Sequence, residues 1–118
     1  MTRFPRPGAR VRGSHTGKPV MALLDLLGRR WTLRVVWELR NVPMTSRALR
    51  KACGGVSPTV LNDRTKELRE AGLLRLNEQA GYELTPLGRE FFERFLPLMR
   101  WSERWAGAMV RAARSGGA

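Results

Sequence analysis

The segment from Ser57 to Gly72 carries signals for both ends of one short helix, and it constrains the fold more than any other part of the chain. Ser57 suits the N-cap because its hydroxyl can accept hydrogen bonds from free backbone N–H groups. Pro58 follows at the first helical position, where its missing N–H costs nothing. Gly72 stands just past the end, where a left-handed residue closes a helix.

This helix has two chemically different sides. Leu61, Thr65 and Leu68 recur on one helical face and predict the side that packs inward. The opposite side carries hydrogen-bonding and charged groups, namely Thr59, Asn62, Asp63 and Lys66. A solvated helix has a similar outer side, so the neighbouring segments must decide what this one does.

A second predicted helix, Ser46 to Ala52, ends at the pair Gly54-Gly55 shortly before Ser57. Thr45 is its predicted N-cap. Two short helices joined by a tight glycine turn form a helix-turn-helix pattern. The alternative is that these are two adjacent helices of an ordinary small bundle. The N-cap residues, the Gly54-Gly55 pair and the polar outer side of the Ser57 helix all agree with a helix-turn-helix and favour it. Its outward-facing cations are Arg47, Arg50 and Lys51.

Two helices are predicted before this motif, over residues 19–27 and 31–40, and the second is apolar on most sides and therefore central. After the motif, leucines from Leu73 to Leu76, a turn over residues 78–81 and Tyr82 to Leu84 predict a two-stranded hairpin. Thr85-Pro86 repeats the cap-then-proline signal, and a long helix follows to about Arg114. The predicted fold class is mainly α (α+β), a winged helix-turn-helix with a short wing.

The final helix carries two apolar stripes about 100° apart. One stripe can cover the chain's own core, whereas two stripes indicate a second partner, most simply another copy of the chain. Pro97 lies in mid-helix and predicts a bend or a break. The first stripe holds Leu87, Phe91, Phe95, Leu98, Trp105 and Met109, and the second holds Phe92, Leu96 and Met99.

Charge favours a polyanionic partner. The chain has 22 Lys and Arg against 10 Asp and Glu, a formal net charge of +12, which attracts nucleic acid first and an anionic membrane surface second. Residues 1–17 hold arginines and no acidic residue, so we expect a basic flexible tail or an arm that lies along DNA. We expect residues 18–114 to form one winged helix-turn-helix domain with terminal dimerisation helices, and residues 115–118 to be a disordered end.

Several function classes are disfavoured. Cys53 is the single cysteine, so no internal disulfide can form, which fits a reducing compartment. The apolar run over residues 20–27 is short and contains Asp25, so it cannot span a bilayer. His15 stands alone, and the chain has no nucleophile–base pair or phosphate loop. We therefore expect a cytoplasmic protein with no enzymatic activity, no metal and no cofactor.

Three blocks of sequence occur in an order typical of one family. They are Lys18-Pro19-Val20 leading to Gly28-Arg29-Arg30-Trp31, then Gly55-Val56-Ser57 leading to Ala71-Gly72-Leu73, and then Tyr82 to Gly88. Together they resemble the HxlR-type regulators, a MarR-related branch of the winged helix-turn-helix proteins, over about Pro19 to Trp105. The resemblance implies a dimeric bacterial transcription regulator, associated with the nucleoid, in which the Ser57 helix enters the major groove.

The resemblance also assigns positions. Ser57, Thr59, Asn62 and Arg64 fall at polar positions of the family's DNA helix, and Arg75 falls at its wing-base arginine. Three departures stand out: Lys18 replaces a frequent cysteine and so excludes a thiol switch there, the wing is short, and Thr65 replaces an apolar residue. We therefore expect weak wing contacts, for which the basic tail substitutes, and slightly looser packing of the Ser57 helix.

The residues themselves indicate how DNA would be contacted. Asn62 can pair with adenine and Lys66 with guanine, whereas the arginines face phosphates. Asp63 either accepts from cytosine N4 or orients a nearby arginine, and the second role is favoured. For Arg64, a structural ion pair and a phosphate contact are both open. The predicted DNA-binding set is Thr45, Arg47, Arg50, Ser57, Pro58, Thr59, Asn62, Asp63, Arg64, Lys66 and Arg75.

Two further features have alternative interpretations. Cys53 is expected to be an inert small hydrophobe, and the alternative is a redox switch whose thiol pKa Lys51 lowers. The tryptophans, Trp31 and Trp101 among them, are expected in core and interface packing, and the alternative is a pocket for a small aromatic effector.

The leading hypothesis is a homodimeric, sequence-specific regulator, expected to be a repressor acting on a pseudo-palindromic operator. Its main alternative is a non-specific architectural protein, which would show steep salt dependence without sequence preference. A protein-interaction winged helix is disfavoured by the polar outer side of the Ser57 helix.

Overall fold

The computed structural model describes residues 18–116, so the predicted basic tail over residues 1–17 lies outside the described residues. The elements are α1 (Pro19–Leu27), α2 (Thr32–Glu38), α3 (Ser46–Cys53), α4 (Pro58–Glu70), β1 (Leu74–Asn77), β2 (Gly81–Leu84) and α5 (Pro86–Gly116). The five helices and one two-stranded antiparallel sheet formed by residues 18–116 confirm the predicted fold class.

The caps of α3 and α4 form as the sequence predicts. The Thr45 hydroxyl accepts from the Ala48 N–H at 3.1 Å, and the Ser57 hydroxyl accepts from the Val60 N–H at 3.1 Å. Gly54, in the turn between the two helices, has φ +61°, and Gly72, just past α4, has φ +79°. The glycines therefore occupy the left-handed conformations that their positions require.

The core lies between α2, α3, α4 and the hairpin. Leu61, Thr65 and Leu68 of α4 are at most 2% exposed, so the inner side of this helix is the one predicted. The buried Thr65 hydroxyl donates to the Asn62 carbonyl at 3.0 Å, which satisfies it within α4. Central α2 contributes Val35 and Val36, again as predicted. The other large buried hydrophobic residues are Leu26, Leu39, Leu49, Val56, Leu73, Leu74, Leu84 and Phe92.

The wing is short and is closed by one side chain. Leu74 pairs with Leu84, and Asn77 pairs with Gly81. The Asn77 side-chain oxygen accepts from the Gln79 N–H at 2.9 Å and stabilises the turn. Tyr82 also forms an antiparallel bridge with Met44, which the sequence did not predict. This bridge attaches the segment before α3 to the wing.

Helix α5 runs unbroken for 31 residues. A break at Pro97 was therefore a wrong expectation. Pro97 removes the helical partner of the Glu93 carbonyl. Both residues are exposed, so water can bond to that carbonyl while the helix continues. The helix also extends to Gly116, so residues 115 and 116 are helical, contrary to the expected disordered end.

The two stripes of α5 have different surroundings. Phe92 of the second stripe is buried and lies against the Trp37 ring, with the ring centroids 5.9 Å apart. Leu98 and Trp105 of the first stripe are more than half exposed. From Arg100 onward every residue up to Gly116 is exposed except Gly107. Within residues 18–116, no helix combines the length and apolar character that crossing a bilayer requires.

Candidate nucleic-acid interface

The outer side of α4 is free to contact a partner. Thr59, Asn62 and Lys66 are exposed, and Asp63 is half-buried. The opposite side, with Leu61 and Leu68, belongs to the core. The polar side chains predicted to read DNA therefore point away from the domain, on a helix whose rotation is fixed by its buried side.

A basic groove lies on the α3 side of α4. It has a volume of about 580 Å³ and is lined by Arg47, Arg50 and Lys51 and by the start of α4 at Ser57 and Pro58. The beginning of a helix carries partial positive charge, which adds to the charge of the three cations. The groove can accommodate a phosphate group and hold it by charge.

A second groove lies between α4 and β1. It has a volume of about 620 Å³, and its lining includes Asn62, Lys66, Arg69 and Arg75. Arg75 also pairs across the wing with Glu83, with 2.6 Å between Nε and the carboxylate oxygen. Its side chain is 58% exposed, and a pair this open is weak, so it leaves Arg75 able to contact a phosphate. The exposed side of α4 therefore has cations on both flanks.

For Arg64 the sequence left open a structural ion pair and a phosphate contact, and the structure shows the ion pair. Its Nε donates to the Arg30 carbonyl at 2.8 Å, and a terminal nitrogen lies 2.5 Å from a carboxylate oxygen of Glu67. The side chain is only 17% exposed. Its guanidinium is thus engaged inside the domain rather than presented beside Asn62 and Lys66.

Within residues 18–116 Asp63 orients no arginine, so the favoured interpretation is not borne out there. No cation in the described part of the chain lies within 4.0 Å of its carboxylate. The neighbouring Arg64 is turned inward to Glu67, which removes the most direct candidate. Acceptance from cytosine N4 is the remaining role for Asp63.

Glu67 is the functional candidate that the sequence did not reveal. It is fully buried in α4, at 0% exposure. Besides Arg64, it pairs with Arg29 at 2.8 Å. No periodicity marks this position, because Glu67 lies outside the stripe formed by Leu61, Thr65 and Leu68. Only the fold brings Arg29 to it.

Cys53 is a core residue. It is 2% exposed, and burial raises the pKa of its thiol above the ordinary value, with the Glu38 carboxylate raising it further and Arg34 opposing the rise. The suggested lowering of the thiol pKa by Lys51 is therefore wrong. A protonated, buried thiol fits the inert role and contradicts the redox switch.

The tryptophans are not gathered into one pocket. Trp31 is half-buried at the start of α2 with φ +77°. Trp101 is exposed and stacks on Trp105, with 6.5 Å between the ring centroids. Among the described residues of one chain, no ring contact joins Trp31 to Trp101, so an aromatic effector site remains a prediction. Residues 18–116 also contain no cluster of three metal-ligating side chains.

Comparisons with known proteins agree with this geometry. Residues 26–110 match the family model described as HxlR-like helix-turn-helix. An uncharacterized HTH-type transcriptional regulator of Methanocaldococcus jannaschii is 24% identical over 94 residues, which cover 76% of this chain and 88% of that protein. A second one, from Mycobacterium bovis, is 30% identical over 99 residues, which cover 75% of this chain and 60% of that protein.

Proteins of known structure include one whose fold is similar to that of this chain. The crystal structure of a possible HxlR family transcriptional factor from Thermoplasma volcanium superimposes with a TM-score of 0.65 at 27% identity, covering 75% of this chain and 85% of that one. These relatives are transcription regulators and not enzymes, as the sequence predicted for this chain. The family match spans most of the chain, from the end of α1 to the far part of α5. The chain therefore belongs to the HxlR-like helix-turn-helix family of DNA-binding transcription regulators.

Proposed function

We propose that this regulator acts as a homodimer that recognises a specific operator in double-stranded DNA and represses transcription there. One observation carries the proposal. The exposed polar side of α4 carries Thr59, Asn62 and Lys66. One basic groove adjoins the start of this helix, and a second, which contains Arg75, is lined in part by the same polar side. A helix that reads base edges in a major groove needs such a face, with phosphate-binding groups on both sides.

The contacts divide into two kinds. Asn62 can donate to and accept from adenine, Lys66 can donate to guanine, and Asp63 can accept from cytosine. These groups would supply sequence preference. Phosphates would be held by hydroxyl groups and by the cations beside them, which supply affinity without preference. The phosphate set comprises Thr45, Arg47, Arg50, Lys51, Ser57, Thr59 and Arg75, with Pro58 packed beside it.

The dimer is supported by the apolar surface at both ends of the domain. Leu98, Trp101, Trp105 and Met109 are each more than half exposed on the far part of α5. Val20 and Leu24 of α1 are exposed to a similar degree. An apolar surface of this extent indicates an interaction site, and the α5 helix of a second copy offers matching chemistry. A symmetric dimer would place two α4 helices about 34 Å apart, the spacing of successive major grooves.

Repression is the simplest result of such binding. A dimer bound across an operator excludes other proteins from the same stretch of DNA. Within residues 18–116, the helix-turn-helix of α3 and α4 and the wing of β1 and β2 are accompanied by helices α1, α2 and α5. We therefore assign the regulator an occluding role, which a reporter gene placed behind the selected operator would test directly.

The operator can be found by selecting bound fragments from random duplex DNA with the full chain. We expect an inverted repeat whose half-sites are centred about 10 base pairs apart. At moderate salt, this repeat should bind roughly a thousandfold more tightly than a scrambled duplex. A selected pool without a common motif, bound no better than scrambled DNA, would contradict the proposal and favour the non-specific architectural protein.

A further inference from the structure

Glu67 holds two arginines from different parts of the chain. One carboxylate oxygen lies 2.8 Å from a terminal nitrogen of Arg29, in the turn between α1 and α2. The other lies 2.5 Å from a terminal nitrogen of Arg64, one turn earlier on α4. The Glu67 side chain is 1% exposed, and those of Arg29 and Arg64 are 22% and 17% exposed. The pairing is thus largely shielded from solvent.

Both arginines make a further contact outside α4. Arg29 bonds to the Asp25 carboxylate on α1 at 3.0 Å. Arg64 donates through Nε to the backbone carbonyl of Arg30 at 2.8 Å. Glu67 is therefore the centre of a cluster, Asp25–Arg29–Glu67–Arg64, that ties α4 to α1 and to the turn before α2.

Stability alone does not account for this cluster. A carboxylate loses its hydration when it is buried, and well-packed apolar side chains of similar volume are often as stabilising as a buried ion pair. Arginine pairs differ from apolar contacts in their directionality, because the planar guanidinium bonds a carboxylate in few orientations. A cluster of this kind restricts geometry more than it adds stability.

The restricted geometry concerns the helix that faces DNA. Glu67 follows Lys66 directly and lies about one and a half turns beyond Asn62 on the same helix. A rotation or slide of α4 large enough to move Asn62 away from its base would separate Glu67 from Arg29. The turn that anchors Arg29 also contains Trp31, whose φ of +77° is unusual for a bulky residue. The cluster therefore fixes α4 against a turn with a constrained backbone.

We propose that Glu67 is a positioning residue for DNA recognition, which acts through Arg29 and Arg64 to set the angle at which α4 presents Asn62 and Lys66. The inference rests on the proposed sequence-specific binding. It adds that discrimination between DNA sequences depends on a buried carboxylate that never touches DNA.

The test replaces three members of the cluster by apolar side chains of similar size in one variant, Arg29→Met with Arg64→Met and Glu67→Leu, and keeps Asp25, whose side chain is 32% exposed. We expect its melting temperature to equal or exceed that of the wild type. The ratio of operator affinity to scrambled-DNA affinity should fall about tenfold or more, because the reading face loses its fixed angle. The salt dependence of scrambled-DNA binding should be unchanged, since the groove cations remain.

A second variant covers the case in which the triple variant does not fold. Glu67→Gln keeps the shape of the side chain and removes its charge, and it should lower the affinity ratio at temperatures where circular dichroism shows a fully folded protein. Glu90→Gln is the matched control, because it makes the same change in the exposed Arg94–Glu90 pair of α5 and should leave the ratio unaltered.

The outcomes separate the two claims. A folded triple variant, or a folded Glu67→Gln protein, that retains the wild-type ratio overturns the positioning role while the proposed function stands. A wild-type protein that does not distinguish the operator from scrambled DNA overturns the proposed function, and the positioning role with it. A reduced ratio in the folded variants, with Glu90→Gln unchanged, supports the positioning role.

Discussion

Gly88, in the first turn of α5, lies directly against the backbone carbonyl of Leu73, and a Cβ at residue 88 would overlap the carbonyl oxygen. The same oxygen accepts a hydrogen bond from the Thr85 N–H at 3.1 Å. The Thr85 hydroxyl in turn donates to the Gly72 carbonyl at 2.6 Å. The start of α5 is therefore fixed onto the residues that close α4.

This contact predicts a large effect of Gly88→Ala. The added methyl group must displace backbone atoms, so we expect the free energy of unfolding to fall by about 1–3 kcal/mol or more. Gly107→Ala is the control in the same helix, because its Cβ would have ordinary contact with the Arg111 side chain at 3.5 Å. That variant should gain up to about 1 kcal/mol from helix propensity. Urea unfolding that shows the same change for both would contradict the packing described here.

Thr32→Val should stabilise the protein. The Thr32 hydroxyl is buried at 1% exposure and has no hydrogen-bond partner among the described residues. Removing an unsatisfied buried hydroxyl while keeping the side-chain shape should raise the free energy of unfolding by about 1 kcal/mol. Thr65→Val, which removes a hydroxyl bonded to the Asn62 carbonyl, should show no such gain. A loss of stability in Thr32→Val would mean that the hydroxyl is bonded in solution.

The raised pKa of Cys53 predicts a loss of stability in alkaline solution. Its ordinary value is 9.0, and burial raises the folded-state pKa above it. The contribution of the protonated thiol is therefore complete below pH 9.0 and is lost as the pH rises through the folded-state value. Between about pH 7 and about pH 10, urea unfolding should show a steeper decline for the wild type than for Cys53→Ala. Parallel declines would contradict the burial of this thiol.

Trp105→Glu should separate the proposed dimer. Trp105 is 53% exposed in the single chain, so a charge there would disturb an interface more than the fold. Sedimentation velocity should show the wild type as a dimer and the variant as a folded monomer. Arg100→Glu, on a different side of the same helix, should remain dimeric. A Trp105→Glu protein that still sediments as a dimer would place the interface elsewhere.

Much of the fold followed from local signals in the sequence. Ser57 and Thr45 cap their helices, and Gly54 and Gly72 adopt left-handed conformations, because these preferences depend on neighbouring residues only. The inner and outer sides of α4 likewise follow from helical periodicity. Both strands of the hairpin are short, but the turn residues between them in the sequence were enough to predict where the strands lie.

The remaining features depend on contacts between distant segments. Glu67 meets Arg29 across 38 residues of sequence, so no local pattern predicts its burial. The Met44–Tyr82 bridge has the same long-range character. Pro97 was expected to bend or break α5, and the break does not occur, because the effect of a proline depends on whether the carbonyl it leaves unpaired finds another partner. Asp63 was expected to orient an arginine, but Arg64 is drawn inward by Glu67, a residue that periodicity does not single out.

The central claim is that the outer side of α4 reads bases, and the most direct measurement is the affinity of Asn62→Ala for the selected operator and for scrambled DNA at several salt concentrations. We expect a loss of about 1–3 kcal/mol on the operator alone, with the salt slope unchanged. Arg47→Ala, the comparison from the adjacent groove, should weaken both duplexes alike and reduce the salt slope by about one. An Asn62→Ala protein that loses affinity equally for both duplexes, or loses none, would contradict the account.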